Sequence, residues 1–469
     1  MTERRRSPSM TKRRGSRSVT EPRATRSMAE GLTVPTVGRP RPMKVPALRD
    51  HTLANGLRVL VARRAGIPRF EARLVVPIAR RTDGANQARL RLLTQTILSG
   101  TPTRSSREIA EAMQAMGGGL GSSADAEQLV VGGSSLSSFR QSFLVLFGEL
   151  VREASFPAQE VAIERDHLVQ EIAVMRSQAA VVANDAMLRR LYGRHPYGQG
   201  TPNPEAVAKV GPATLRTLHA DRVRPRGSLL VLVGDLDLDR TVADVDAGFG
   251  DWADDDAAGS LPTPDVANPR PILLVDRPGA VQTTMRMAGK ALLRTEPAFP
   301  ALMLATTVFG GSFTSRLNDN IRERRGFTYG AHARVEQRRA GAQITVAADV
   351  GREVTAASLV ETTYELGRMA STRIEQHELD AARTYLQGTL ALGIQTQSGL
   401  TNYLSTIVGS GLEVDYLREY PKALQQVTVD DVLAASRAYL APTNLTTVLV
   451  GDAAVVAGAV RPLAEVELG

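Results

Sequence analysis

Val231-Leu-Val-Gly-Asp235 recurs as Val448-Leu-Val-Gly-Asp452, 217 residues later, with Pro225 and Pro442 each six residues upstream. Glu160 and Arg165 have counterparts in Glu378 and Arg383, 218 residues on. A strand and a helix repeated at nearly one offset predict a tandem duplication of an α+β unit of about 210 residues, a signal that one shared pentapeptide would not carry. Between the copies runs a charged, proline-punctuated stretch without periodicity: Asp251, Asp254-Asp-Asp256, Gly259, Pro262, Pro264, Pro269 and Pro271. Such composition reads as a linker. The predicted organisation is a tail (1–45), a first domain (46–250), a linker (251–271) and a second domain (272–469).

Within the first copy, Leu53-Ala-Asn-Gly-Leu-Arg-Val-Leu-Val61 reads as a turn at Asn55-Gly56 followed by a strand, and Phe70 to Ile78 as another strand. A helix is predicted over 87–98, with Leu90, Leu93 and Ile97 as its apolar stripe. Ser105-Ser-Arg-Glu108 is a capping box opening a helix that Gly117-Gly-Gly119 closes. A strand from Gln128 to Val131 follows, then helices over 136–153, 158–180 and 204–219, and the strand from Leu229 to Val233. Gly117-Gly-Gly-Leu-Gly-Ser122 follows a helix and lacks a lysine, so it is not a phosphate loop.

The chain has no cysteine, which removes disulfides and thiolate metal sites. No apolar run approaches the roughly 18 residues of a membrane-crossing helix. The net charge of +8 hints at nucleic acid until it is divided. Residues 1–45 hold 12 Lys and Arg against 3 Glu, a net of +9, and the remainder is at −1. A neutral body speaks against a nucleic-acid partner. The tail lacks the apolar segment of a secretory signal, so the expected placement is cytoplasmic, with periplasm and organelle left open. It reads as a solvated, disordered arm; a transit segment, or a true start at Met28 or Met43, are the other readings.

In the second copy, Phe309-Gly-Gly-Ser-Phe-Thr-Ser-Arg-Leu-Asn-Asp-Asn-Ile-Arg-Glu-Arg-Arg-Gly-Phe-Thr-Tyr329 predicts a chain break, a helix with Leu317 and Ile321 on one face, and a C′ glycine at Gly326. Phe327, Tyr329, Ala331, Ala333 and Val335 then alternate as one face of a strand. Arg322 falls in the last helical turn and Tyr329 on the strand. Seven residues apart, a guanidinium fork and a phenol form a donor pair suited to a peptide carbonyl or a developing oxyanion.

This stretch resembles the C-terminal signature of the M16 (pitrilysin/insulinase-like) metallopeptidases, in particular the mitochondrial-processing-peptidase-like branch. The resemblance covers about residues 48 to 455. It implies two tandem M16/LuxS-like α/β domains, each an antiparallel-rich sheet with helices packed on it, together forming half of a clamshell around a peptide chamber. It also implies that Arg322 and Tyr329 assist peptide binding and transition-state stabilisation.

Active members carry His-x-x-Glu-His on a helix of the first domain and a third ligand, a glutamate, about 75 residues later. The two histidines at i and i+4 share a helical face, as zinc ligation requires, and the glutamate activates water. Aligned on Gly100-Thr101, that motif falls on Arg91-Leu-Leu-Thr-Gln95. Arg91 has no lone pair to give a metal, Thr94 is no carboxylate base, and Gln95 offers at best a weak carbonyl. The six histidines (51, 167, 195, 219, 332 and 377) are too scattered to form a helical pair. Glu164 and Glu171 match the family's downstream acidic pair, with Glu171 at the third-ligand position; we expect Glu171 to pair with Arg91 instead of a metal. His195, in Arg194-His-Pro-Tyr-Gly198, is expected to be structural. In the family the glycine turn at 117–119 leads into an edge strand that binds substrate by β-addition. The strand here lacks the usual Asn.

The expectation is a non-catalytic subunit of a heterodimeric M16 zinc peptidase, with no cofactor of its own. A partner bearing His-x-x-Glu-His would hold the zinc, this chain would supply Arg322 and Tyr329, and the substrate would be a peptide or unfolded polypeptide. The alternative is a structural or peptide-binding homologue with no role in turnover.

Overall fold

The computed structural model describes residues 46–79, 87–253, 259–267 and 271–469. The tail, with Met28 and Met43, lies outside the described residues, as do Asp254-Asp-Asp256 and Pro269 of the expected linker.

The strands form two six-stranded sheets. The first takes β1 (Leu48–Thr52), β2 (Arg58–Arg63), β3 (Arg69–Pro77), β4 (Gly119–Ala124), β5 (Gln128–Leu136) and β6 (Leu229–Gly234) in the order β1-β2-β6-β3-β5-β4. The second takes β7 (Ile272–Asp276), β8 (Gln282–Ala291), β9 (Thr328–Gln337), β10 (Ala342–Gly351), β11 (Thr446–Gly451) and β12 (Val466–Leu468) in the order β12-β7-β11-β8-β10-β9. From the second place on the two orders match, and the recurring pentapeptide supplies β6 and β11; the outermost strand comes from the start of the first half (β1, antiparallel to β2) but from the end of the second (β12, parallel to β7). Pairing is antiparallel except at β2–β6, β7–β11 and β7–β12.

The first half carries helices α1 (Gln87–Thr96), α2 (Ser106–Ala115), α3 (Arg140–Arg152), α4 (Ala158–Arg176), α5 (Ala179–Tyr192), α6 (Pro204–Ala208), α7 (Pro212–Arg222) and α8 (Leu238–Phe249). The second carries α9 (Phe299–Thr306), α10 (Arg316–Asn318), α11 (Thr355–Ser371), α12 (Gln376–Gly393), α13 (Gln397–Gly409), α14 (Tyr416–Gln426), α15 (Val429–Tyr439) and α16 (Ala453–Val460). The offset of 217 residues that relates β6 to β11 also relates α7 to α15.

Each half lends one helix to the other's sheet. On β6, Leu230 and Leu232 enter the first half's own core, while Leu229, Val231 and Val233 meet Leu400, Leu404, Ile407 and Val408 of α13. Reciprocally, Met187, Leu191 and Tyr192 of α5 pack on Ala288 of β8 and Val448 of β11. This explains why Leu229–Val233 is apolar at every position: both faces are covered, as in a parallel-sheet strand.

The capping box forms as read, with Glu108 accepting from the Ser105 backbone at 2.8 Å. Several boundaries differ. The helix expected over 87–98 ends at Thr96, and the one over 136–153 begins with a 3-10 turn at Ser137–Phe139. The strand expected over 128–131 runs on to Leu136. The helix over 158–180 stops at Arg176, with Ser177 as its cap, and α5 follows as a separate helix. The helix over 204–219 is two helices, parted where Gly211-Pro212 restarts the chain.

Candidate functional site

Helix α1 buries Leu90, Leu92 and Leu93 and turns Arg91 outward. Residues four apart share a helical face, so Arg91 and Gln95 both lean toward α4. There they meet one carboxylate. Arg91 Nη2 lies 3.6 Å from Glu171 Oε1, and Gln95 Nε2 donates to Glu171 Oε2 at 3.5 Å. Thr94 takes another course: its hydroxyl donates to the Arg91 carbonyl at 2.7 Å, and its carbonyl accepts from Ser122 Oγ of β4 at 2.5 Å. Glu164 faces His167 at 3.9 Å. The structure thus brings Arg91, Gln95 and Glu171 together and leaves Thr94 and Glu164 outside the cluster.

These residues do not fit zinc. The guanidinium has no lone pair, and the Gln95 amide oxygen, buried and without a hydrogen-bond donor among the described residues, is a poor ligand beside a carboxylate already engaged. Among the described residues, no three His, Cys, Asp or Glu side chains are placed to share a metal.

In the second half, the segment after α9 is wound more loosely than an α-helix. Thr307–Gly311 and Asp319–Arg324 are π turns flanking α10, so Arg322 sits on a π turn and not on the α-helix expected for it. Such turns shift the side-chain register by one residue. Gly326 has φ +66°, the left-handed conformation expected of a C′ glycine, and its amide donates to the Arg322 carbonyl at 3.1 Å. Arg322 Nη1 lies 2.8 Å from Glu323 Oε1, and its Cζ is 4.0 Å from the centre of the Phe313 ring. A guanidinium over an aromatic face is held electrostatically while keeping donors free.

Tyr329 is the second residue of β9, the outer strand of the second sheet. The β9–β10 register passes from Ala331–Ala348 to Thr328–Val350, so Tyr329 and Gly330 together oppose Asp349. This bulge turns Tyr329 out of the face that carries Ala331 and Ala333 into the core, and it is 97% exposed. Thr328 Oγ1 donates to the Asp349 carbonyl at 2.7 Å and fixes the bulge. Asn318 clamps the strand from below, donating to the Ala331 carbonyl at 2.8 Å and accepting from its amide at 3.0 Å. Sequence reasoning missed Asn318 and Phe313. A polar residue beside Leu317 in an otherwise inward-facing turn was the available signal for Asn318; Phe313 had none.

His195 is structural, as expected: its Nδ1 accepts from the Tyr197 amide at 3.1 Å and its Nε2 lies 3.0 Å from the Pro262 carbonyl. Nearby, Glu127 of the β4–β5 turn accepts from the amides of Arg339 and Ala340 in the β9–β10 turn, at 2.6 and 3.0 Å. Burial, with the Glu127 charge adjacent, drives the Tyr197 phenol far above its ordinary pKa.

Comparison with known proteins gives the family and the fold. A family model described as insulinase (peptidase family M16) matches residues 85–205, and one described as peptidase M16 inactive domain matches residues 209–386. An uncharacterized zinc protease of Mycobacterium tuberculosis (strain ATCC 25618 / H37Rv) is 27% identical over 400 residues, covering 83% of this chain and 90% of that protein. One from Bacillus subtilis (strain 168) is 23% identical over 308 residues, 65% and 74% of the two chains. Among solved structures, a peptidase M16 inactive domain from Pseudomonas fluorescens aligns with a TM-score of 0.81 at 23% identity, over 87% of this chain and 98% of that one. A protease from Helicobacter pylori aligns at 0.80 and 16% identity, over 87% and 100%.

Proposed function

Because the chain belongs to the M16 peptidase family, with matched segments in both halves, we propose that it is the non-catalytic subunit of a two-subunit M16 zinc peptidase. The observation that supports this most is the exchange at α1. Arg91 and Gln95 are engaged with Glu171, at the positions that in active members ligate zinc. On this reading Arg91 and Gln95 would leave no zinc-bound water at α1 to start hydrolysis.

Arg322 and Tyr329 are what the chain would contribute. A guanidinium stacked on Phe313 and a fully exposed phenol on a bulge offer several N–H donors and one O–H donor to a peptide carbonyl held beside another subunit's zinc. Donors aimed at a developing oxyanion contribute more in the transition state than in the ground state, which is the requirement for raising a rate. The zinc, the general base and the attacking water would belong to a homologue carrying His-x-x-Glu-His, and the substrate would be a peptide or unfolded polypeptide.

The test is co-purification of the tagged chain from its native lysate, with mass spectrometry of what elutes at equal stoichiometry. A homologue bearing His-x-x-Glu-His, with zinc-dependent peptide cleavage in the eluate, supports the reading. A homodimer without cleavage favours a structural or peptide-holding homologue.

A further inference from the structure

β4 is the open edge of the first sheet, paired only with β5. Along β3, Phe70, Ala72 and Leu74 enter the core, so Arg69, Glu71 and Arg73 share the opposite face. α13 packs on that face at Val75, and Asn402 of α13 walls one side of a cleft of about 660 Å³ above the three charged residues. The cleft's floor has a particular register. Arg73 stands opposite Gly132 of β5, and Gly132 opposite Gly121 of β4. One rung therefore runs from the Arg73 side chain to the sheet edge across two positions without side chains. The neighbouring rungs, Glu71–Ser134–Gly119 and Val75–Val130–Ser123, are not bare in this way. A Cβ built on Gly121 meets no atom within 4 Å, so the space over the rung is open.

The charge at the closed end is short of partners. Arg69 leans on Glu71 at 3.8 Å and donates to Ser134 Oγ, while the Arg73 guanidinium donates no hydrogen bond to any described residue. Burial pushes the Arg73 pKa down and the Glu71 pKa up, with each other's charge acting against it. Two arginines against one glutamate leave the cleft net positive.

We propose that the Arg73–Gly132–Gly121 rung is a subsite for an acidic side chain of an extended peptide that adds to β4 as a further strand. The peptide carboxylate would lie over the two glycines and pair with Arg73. At about 4.8 Å per strand, the added backbone lies about 14 Å from that of Arg73, roughly the reach of a glutamate and an arginine laid end to end, so glutamate suits the rung better than aspartate. The subsite rests on the reading of the chain as a peptide-binding M16 subunit, but it needs no second subunit to be occupied.

The experiment is fluorescence anisotropy of the full chain with two labelled, extended decapeptides that differ only in a central Glu or Gln. The Glu peptide should bind about tenfold tighter, as expected for a charge-assisted pair. Arg73→Gln and Gly121→Val should each bring the two peptides to within about twofold of one another, the first by removing the charge and the second by filling the rung. Thermal melts verify folding, and Gly121→Val carries the test alone should Arg73→Gln not fold. Equal binding of both peptides to the unaltered chain, binding of neither, or a preference that survives in Arg73→Gln would each overturn the subsite. Because the readout is binding to this chain alone, it can succeed where no cleaving partner is found and fail where one is.

Discussion

Arg91 and Glu171 meet at 3.6 Å across α1 and α4, and Gln95 reaches the same carboxylate from one turn further along α1. A cationic side chain thus faces the glutamate that resemblance assigns to a metal. The pair is 47% and 36% exposed, so water screens it, and its contribution is that of a surface ion pair.

A double-mutant cycle measures that contribution. In urea denaturation, Arg91→Met should cost about 0.5–1 kcal/mol more in the native background than in Glu171→Gln. The loss is smaller than burial of the pair would have implied. Equal losses in both backgrounds would mean that the two side chains do not interact.

Positions 91 and 95 lie four apart on helix α1 and both reach Glu171, so chemistry at the three positions should be reversible. Arg91→His with Thr94→Glu and Gln95→His places two imidazoles at i and i+4 facing Glu171. In isothermal titration calorimetry this variant should take up about one zinc per chain, and adding Glu171→Ala should weaken uptake about 10–100-fold. A folded triple variant that ignores zinc would show that α1 and α4 are set too far apart.

The duplication was legible because β6 and β11 are covered on both faces, which forces an apolar run that a pattern search finds twice. At α1 the residue type alone says that Arg91 cannot itself ligate a metal, wherever it points. What escaped depends on tertiary packing. α5 (Ala-Ala-Val-Val-Ala-Asn-Asp-Ala-Met-Leu) shows little amphipathic stripe because it packs on the other half's sheet as well as its own neighbours, so the sequence offered no clear face. The π turns around Arg322 differ from α-helix by one residue per turn, below what spacing resolves. Tyr329 has the parity of Ala331 and Ala333 but not their burial, because a bulge at Tyr329-Gly330 lies between them; Gly330, a lone glycine inside a strand pattern, was the available signal.

The exchange of helices predicts one unfolding transition for both halves. Leu404 on α13 is fully buried against β6 of the other sheet. Leu404→Ala should cost about 2–5 kcal/mol, and hydrogen exchange should accelerate at Leu229–Val233 as well as within α13. Acceleration confined to the second half would contradict the coupling.

Acid should loosen the first half through His219. Its Nε2 donates to the Val151 carbonyl at 2.8 Å, and burial, reinforced by Arg224, holds its pKa below the ordinary 6.5. The unfolded chain therefore binds the proton more readily. The stability this group contributes is present above the unfolded pKa and is lost as pH falls below it toward the folded pKa. Denaturant midpoints between pH 7 and 5 should fall less in His219→Gln than in the unaltered chain, and parallel curves would assign the acid sensitivity elsewhere.

The central claim is that Arg322 and Tyr329 serve a zinc held by another subunit. The direct measurement is kcat for peptide cleavage by the reconstituted pair of this chain and a His-x-x-Glu-His homologue, with assembly verified by size-exclusion chromatography. Arg322→Ala should lower kcat about 10²–10³-fold, as loss of an oxyanion donor does, with Tyr329→Phe lowering it in the same direction and the pair intact. Unchanged kcat in an assembled Arg322→Ala pair would contradict the account and leave the chain a structural or peptide-holding half.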